Sequence, residues 1–162
     1  MRFQFNFIST FLTACLSILS FNAFANDASV IDIDNAYIRE VPPGAMATGS
    51  FLTLKNNSGQ EIQLVGATSN VAKRVELHTH INDNGVMKMR QIKSISIAAH
   101  QETKLQPGGL HIMFIGLQKE LKEGQTISMT LKFKDGSQKE LMVPVKSVMN
   151  AMGNMNNMHH HH

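Results

Sequence analysis

Two histidines and two methionines flank a polar turn in "ELHTHINDNGVMKMR", residues 76–90: His78 and His80 precede it, Met87 and Met89 follow it. A third pair, His111 and Met113, stands in "PGGLHIMFIGL". Side chains at i and i+2 of a strand point to one face, so each pair presents its donors together if its segment is extended. Thioether sulfur is a soft, neutral donor and imidazole a borderline one, and two of each suit Cu(I). Zinc prefers thiolate, imidazole or carboxylate, and calcium and magnesium want oxygens. No carboxylate cluster accompanies these residues. A blue-copper electron-transfer site needs a cysteine ligand. No Ser/His/Asp order, paired carboxylates or phosphate-binding glycine loop stands out, so the chain does not read as an enzyme.

Each piece has a bland explanation. A single His-x-Met is common by chance, and a methionine on an apolar strand is more often core filling than ligand. Taken alone, Met87 and Met113 read as core, Met129 and Met142 as packing in alternating strands, and His100 as a surface residue beside a turn. Met46, in "VPPGAMATG", has no evident partner. The turn decides which donors meet. If residues 82–85 form a four-residue connection, His78 faces Met89 and His80 faces Met87. If Asn84-Gly85 forms a two-residue type I′ turn, His80 faces Met89 instead. Local turn preference favours the second arrangement.

The elements that must position these donors are short alternating segments. "SFLTLKN" (50–56), "EIQLVGA" (61–67), "RVELHTH" (74–80), "VMKMRQI" (86–92), "LHIMFIG" (110–116), "TISMTLKFK" (126–134) and "ELMVPVKS" (140–147) are the clearest strands. Between them lie "NNSG", "NDNG", "QPGG", "KEG" and "KDGS", with the Gly, Asn or Asp that tight turns need. "SNVAKR" has the makings of a helical turn, but no long 3.6-residue period occurs. About seven or eight strands at this spacing predict an all-β fold, an antiparallel Greek-key β-sandwich over residues 26–148. The three donor pairs then converge at one edge of the sandwich.

The first 25 residues read as a signal peptide: Arg2, an apolar stretch densest from Phe11 to Phe21, and a small-x-small cleavage signal at Ala23-Phe24-Ala25. Cutting after Ala25 removes 25 of 162 residues and leaves 137, enough for one core. No later stretch approaches the roughly 20 apolar residues of a membrane span. The sole cysteine, Cys15, lies inside this leader. Leu12-Thr13-Ala14-Cys15 resembles the box where bacterial lipoproteins are cut and lipidated, but the apolar "LSILSFNAFA" follows where a lipoprotein tether is usually polar. Cleavage after Ala25 leaves no thiol, which excludes disulfides, a cysteine nucleophile and thiolate-ligated metal. The formal charge of +3 includes Arg2. With lysines alternating among acids and few aromatics, there is no nucleic-acid footprint.

From His78, ten residues intervene before Met89, twenty-one before His111 and one before Met113. This His-x10-Met-x21-His-x-Met spacing resembles that of the periplasmic copper chaperone family PCuAC. "VELHTH…GVMKMR", "LQPGGLHIMFIGL" and "AYIREVPPGAMATGSFLTLKN" also resemble its segments, so the likeness covers nearly all of residues 30–147. The resemblance implies a cupredoxin-like sandwich in the periplasm with one Cu(I) at a His2Met2 site, the ligands being His78, Met89, His111 and Met113. It further implies delivery toward the CuA centre of a cytochrome c oxidase subunit, alongside Sco-type thiol proteins. Many relatives carry methionine where His80 stands, so His80 and Met87 are auxiliary candidates. The alternative function is a copper-buffering or tolerance protein without a dedicated recipient. Free imidazoles protonate below about pH 6 to 6.5, and binding should weaken there.

After Val148 the composition changes to "MNAMGNMNNMHHHH", which can build no core and reads as a disordered tail over 149–162. Met149, Met152, Met155 and Met158 recur every third residue and lead into His159, His160, His161 and His162. Gly153 and the asparagines argue against a helix. A purification tag would account for the four histidines. The methionines before them, and the Met/His-rich extensions of the resembled family, favour a native tail that captures more copper. Its imidazoles suit Cu(II) and its methionines Cu(I).

Overall fold

The computed structural model describes residues 26–147. The leader and the tail expected from the sequence, with its Met149–His162 donors, lie outside the described residues. A four-residue helix, α1 (Asp27–Val30), opens the described chain, capped by the Asn26 side chain accepting from the Ser29 amide. Ten strands follow: β1 (Ile31–Arg39), β2 (Ala47–Asn56), β3 (Ile62–Thr68), β4 (Ala72–Asp83), β5 (Val86–Gln91), β6 (Ile95–Ile97), β7 (Glu102–Leu105), β8 (His111–Leu117), β9 (Thr126–Phe133) and β10 (Gln138–Lys146). The short β6 and β7 carry too few residues for a period-two signal. "SNVAKR" makes no helical turn; β4 starts at Ala72 inside it, because its alternation with the Leu77 face outweighs local preference.

Strands run in the order β5-β4-β8-β2-β1-β10-β9-β3-β6, with β7 added to β2. The crossovers suit the expected Greek-key sandwich. One pair departs from antiparallel: β1 and β10 run parallel, with Ile38 opposite Val145 and Arg39 opposite Lys146. One hydrophobic core takes side chains from both halves of this path, among them Leu52, Leu54, Leu77, Ile112 and Phe114 from one half and Leu64, Met129, Leu131 and Phe133 from the other. Along β9 the burial alternates strictly, with Ile127, Met129, Leu131 and Phe133 inward. Fully burying each such side chain stabilises by roughly 1.5–3 kcal/mol. Phe114→Ala, at a fully buried position, would cost about 3–5 kcal/mol.

A bulge in β1 shapes the other face. The register shifts between Asp34 and Tyr37, where Asn35 takes a φ of 54°. Before it Ile31 and Ile33 face the core; after it Ile38 does. The changed parity turns Tyr37 and Arg39 to the outer face.

Candidate metal centre

The core takes Leu77, Ile112, Phe114, Leu52 and Leu54, so alternation puts Glu76, His78, His80, His111, Met113, Gly49 and Phe51 on the opposite side of their sheet. The three donor pairs therefore meet on the outer face of the sheet at its β5-β4-β8 end, where β5 is the edge strand.

The hairpin between β4 and β5 closes through Asn84 (φ 53°) and Gly85 (φ 84°). Positive φ at both central residues is what a type I′ turn requires, and the Asn82 carboxamide oxygen accepts from the Gly85 amide at 2.7 Å. The two-residue turn sets His80 opposite Met89, Asn82 opposite Met87 and His78 opposite Gln91. The four-residue connection that would have set His78 opposite Met89 does not form. His78 instead lies diagonal to Met89, on the same face, and directly opposite His111 on β8, with Glu76 opposite Met113.

Hydrogen bonds assign the imidazole tautomers. His78 Nε2 lies 2.9 Å from Glu76 Oε2. An ionised carboxylate only accepts, so this nitrogen carries the proton and Nδ1 keeps its lone pair. His111 Nδ1 lies 3.0 Å from the Gly109 carbonyl oxygen and His80 Nδ1 lies 3.4 Å from the same atom. A carbonyl also only accepts, so in the neutral rings Nε2 is the free nitrogen. Two of these lone pairs, His78 Nδ1 and His111 Nε2, are buried with no hydrogen-bond partner, and the two rings are 5.7 Å apart. Burial pushes the His111 pKa below the usual histidine value; the Gly109 hydrogen bond opposes this, and His80, His78 and Arg39 reinforce it.

An open cavity of about 360 Å³ is lined by His80, Met89, His111 and Met113 together, with Phe51 and Gly49 in its wall. Phe51 stands 6.2 Å from the His111 ring, between it and Tyr37, and the Arg39 guanidinium lies over Phe51 at 5.3 Å. Gly49 makes room for that ring: a Cβ there would come within 3.1 Å of Phe51 Cζ. A second opening of about 380 Å³, among Glu40, Pro42, Pro43, Glu120 and Lys122, has no soft donor in its lining. Among the described residues no three His, Cys, Asp or Glu side chains gather to hold a metal, so a metal at the His78–His111 face needs the thioethers.

The remaining candidates separate cleanly. Met129 is fully buried core, but Met142 is 62% exposed and lies outside the core, because its neighbours Leu141 and Val143 take the inward positions of β10. Met87 and Met46 are exposed as well, so the core reading of Met87 fails: all six residues of β5 are exposed. His100 is on the surface, as expected. Sequence reasoning missed Glu76, Gly109, Gly49 and Phe51. Glu76 had a signal, two residues before His78 on the same strand face.

The family described as "Putative lipoprotein LpqE-like" matches residues 31–145. A relative from Leifsonia xyli subsp. xyli, "Putative lipoprotein Lxx21020", is 38% identical over 128 residues, 78% of this chain and 76% of that protein. The solution structure of CuI-DR1885 from Deinococcus radiodurans is 34% identical with a TM-score of 0.60, covering 76% of this chain and 81% of that one. The copper-bound PCuAC domain from PmoF2 shares the fold with a TM-score of 0.64 at 18% identity, covering 74% of this chain and 95% of that domain. The chain belongs to the LpqE-like family and shares its fold with PCuAC domains.

Proposed function

We propose that this protein is an exported copper carrier, binding one Cu(I) through His78 Nδ1, His111 Nε2, Met89 and Met113. The carrying observation is the pair of buried imidazole nitrogens with lone pairs and no partner. Leaving such groups unpaired costs about 1–3 kcal/mol each, and a soft cation between the two strands would use both. The copper-bound domains among the relatives support the choice of metal. Four neutral donors add no charge to the cation, which favours the +1 ion and leaves it transferable to a thiolate-bearing partner. Glu76 and Gly109 act as orienting partners, fixing which nitrogen of each ring faces the metal. The lipoprotein description of the family fits an exported protein, and no helix of the described residues is long and apolar enough to cross a membrane.

Within this reading the carrier works in the periplasm and hands copper toward a CuA centre of cytochrome c oxidase, with Sco-type thiol proteins as companions; the tail residues Met149–His162 collect further Cu(I) or Cu(II). A His111→Ala/Met113→Ala variant should lose the tight Cu(I) equivalent, and one that binds it as tightly as wild type would sink the assignment. Mixing Cu(I)-loaded protein with an apo CuA domain separates a chaperone from a buffer, because a buffer transfers nothing.

A further inference from the structure

The inner ligand set leaves His80 and Met87 unused, and the hairpin register places both beside Met89. His80 is directly opposite Met89, and Met87 opposite Asn82 on the next rung outward. His80 and Met87 are therefore diagonal neighbours on one face, within reach of long side chains. Met87 is 56% exposed and Met89 44%, so neither thioether is spent on core packing. Lys88 and Arg90 alternate to the opposite face, and Lys88 is tied to Asp83 at 2.6 Å. The His80 ring is 5.2 Å from that of His111 and directs Nδ1 to the same Gly109 oxygen, which leaves Nε2 as a free lone pair on the cavity lining. β5 is the outermost strand of its sheet, open to an incoming partner.

We propose that His80, Met87 and the shared Met89 form an outer exchange station for Cu(I), through which the metal passes between solvent or a partner and the inner site. The inference rests on the inner site described above. Copper arrives at His80 Nε2 and the Met87 sulfur; Met89 then binds it, and the bond to Met87 breaks. His111 and Met113 next replace His80, and His78 completes the set. The donor count rises from two at the station to four at the inner site, and every donor is neutral, so the ion stays Cu(I) and no electron or proton is required. Release runs the same steps backwards. A station on the path lowers the barrier in both directions and leaves the equilibrium affinity alone.

The test uses the full mature chain loaded with one equivalent of Cu(I), and bicinchoninate as the receiving probe. In His80→Ala/Met87→Leu, loading and release should both slow by about tenfold or more, with an affinity within about twofold of wild type. Met87 is exposed and His80 half-buried with one long hydrogen bond to Gly109, so the double substitution should shift stability by about 1 kcal/mol. Unchanged rates would overturn the proposal, and so would an affinity loss matching the rate change, since His80 would then be an inner ligand. With methyl-labelled methionine, the Met87 methyl signal should move at the second Cu(I) equivalent; a signal that never moves also overturns it. Failure of the inner site reads differently, as retained affinity in His111→Ala/Met113→Ala.

Discussion

Replacing His111 with leucine should make the copper-free protein more stable and the copper-bound protein less so. The ring is 3% exposed, with Nε2 unpartnered and Nδ1 bonded to Gly109 at 3.0 Å. Removing a buried orphan nitrogen returns about 1–3 kcal/mol, and losing the one hydrogen bond gives up about 1 kcal/mol. The net is a gain of about 1 kcal/mol for apo His111→Leu, roughly 4 °C in Tm for a domain of this size. With Cu(I) at 100 times its dissociation constant, wild type gains about 2.7 kcal/mol. The variant forgoes that gain at the inner site, so the order inverts by about 1.7 kcal/mol. The chain has no tryptophan and one tyrosine, so urea unfolding is best followed by circular dichroism. Chelator fixes the apo state, and buffered Cu(I) under reductant fixes the loaded one. The tail is common to both proteins and cancels in the comparison. An apo variant that loses more than about 2 kcal/mol would place His111 among ordinary packing residues, and the argument from its orphaned nitrogen would fall.

Three further outcomes follow from the same geometry. Burial lowers the His111 pKa, so below about pH 6.5 the unfolded chain binds a proton that the folded chain refuses. Apo stability should be full above that pH and fall as the pH drops toward the depressed folded value. The slope is at most about 1.4 kcal/mol per pH unit for this residue, and His111→Leu should be flatter over that window; equal slopes would contradict the assignment. Gly49→Ala should press on Phe51, whose Cζ would stand 3.1 Å from the new Cβ, weakening Cu(I) binding severalfold while changing stability by less than about 1 kcal/mol; unchanged affinity would remove Phe51 from the account of how His111 is held. Intact mass should give a mature chain beginning at Asn26, whereas a lipid-modified Cys15 would establish the lipoprotein route.

Much of the scaffold was legible because period-two alternation is a local signal. The run from Thr126 to Phe133 announces its inward Ile127, Met129, Leu131 and Phe133 without reference to anything else. The parallel β1–β10 pair was not legible, since it depends on partners more than 100 residues apart. Nor was the parity change at Asn35, whose positive φ an asparagine tolerates but which no turn signal within the strand distinguishes from an ordinary polar position. That bulge matters to the site: it carries Tyr37 and Arg39 to the outer face, where they back Phe51 against His111.

The proposed ligands are candidates that spacing alone picks out, and their geometry was not legible. Ten residues between His78 and Met89 reads as a direct cross-strand pair only across a four-residue connection, whereas Asn84-Gly85 demands the two-residue turn that the hairpin adopts. On the sequence these were rival choices for one histidine. On the sheet they are adjacent rungs of one face: His78 sits against His111, its Nδ1 buried, and His80 sits against Met89 at the open cavity. A diagonal neighbour remains within reach of a long side chain, so His78 need not face Met89 to share a metal with it. The turn that removed the expected pairing is therefore what leaves a second imidazole beside the exposed thioethers, where an exchanging ion needs one.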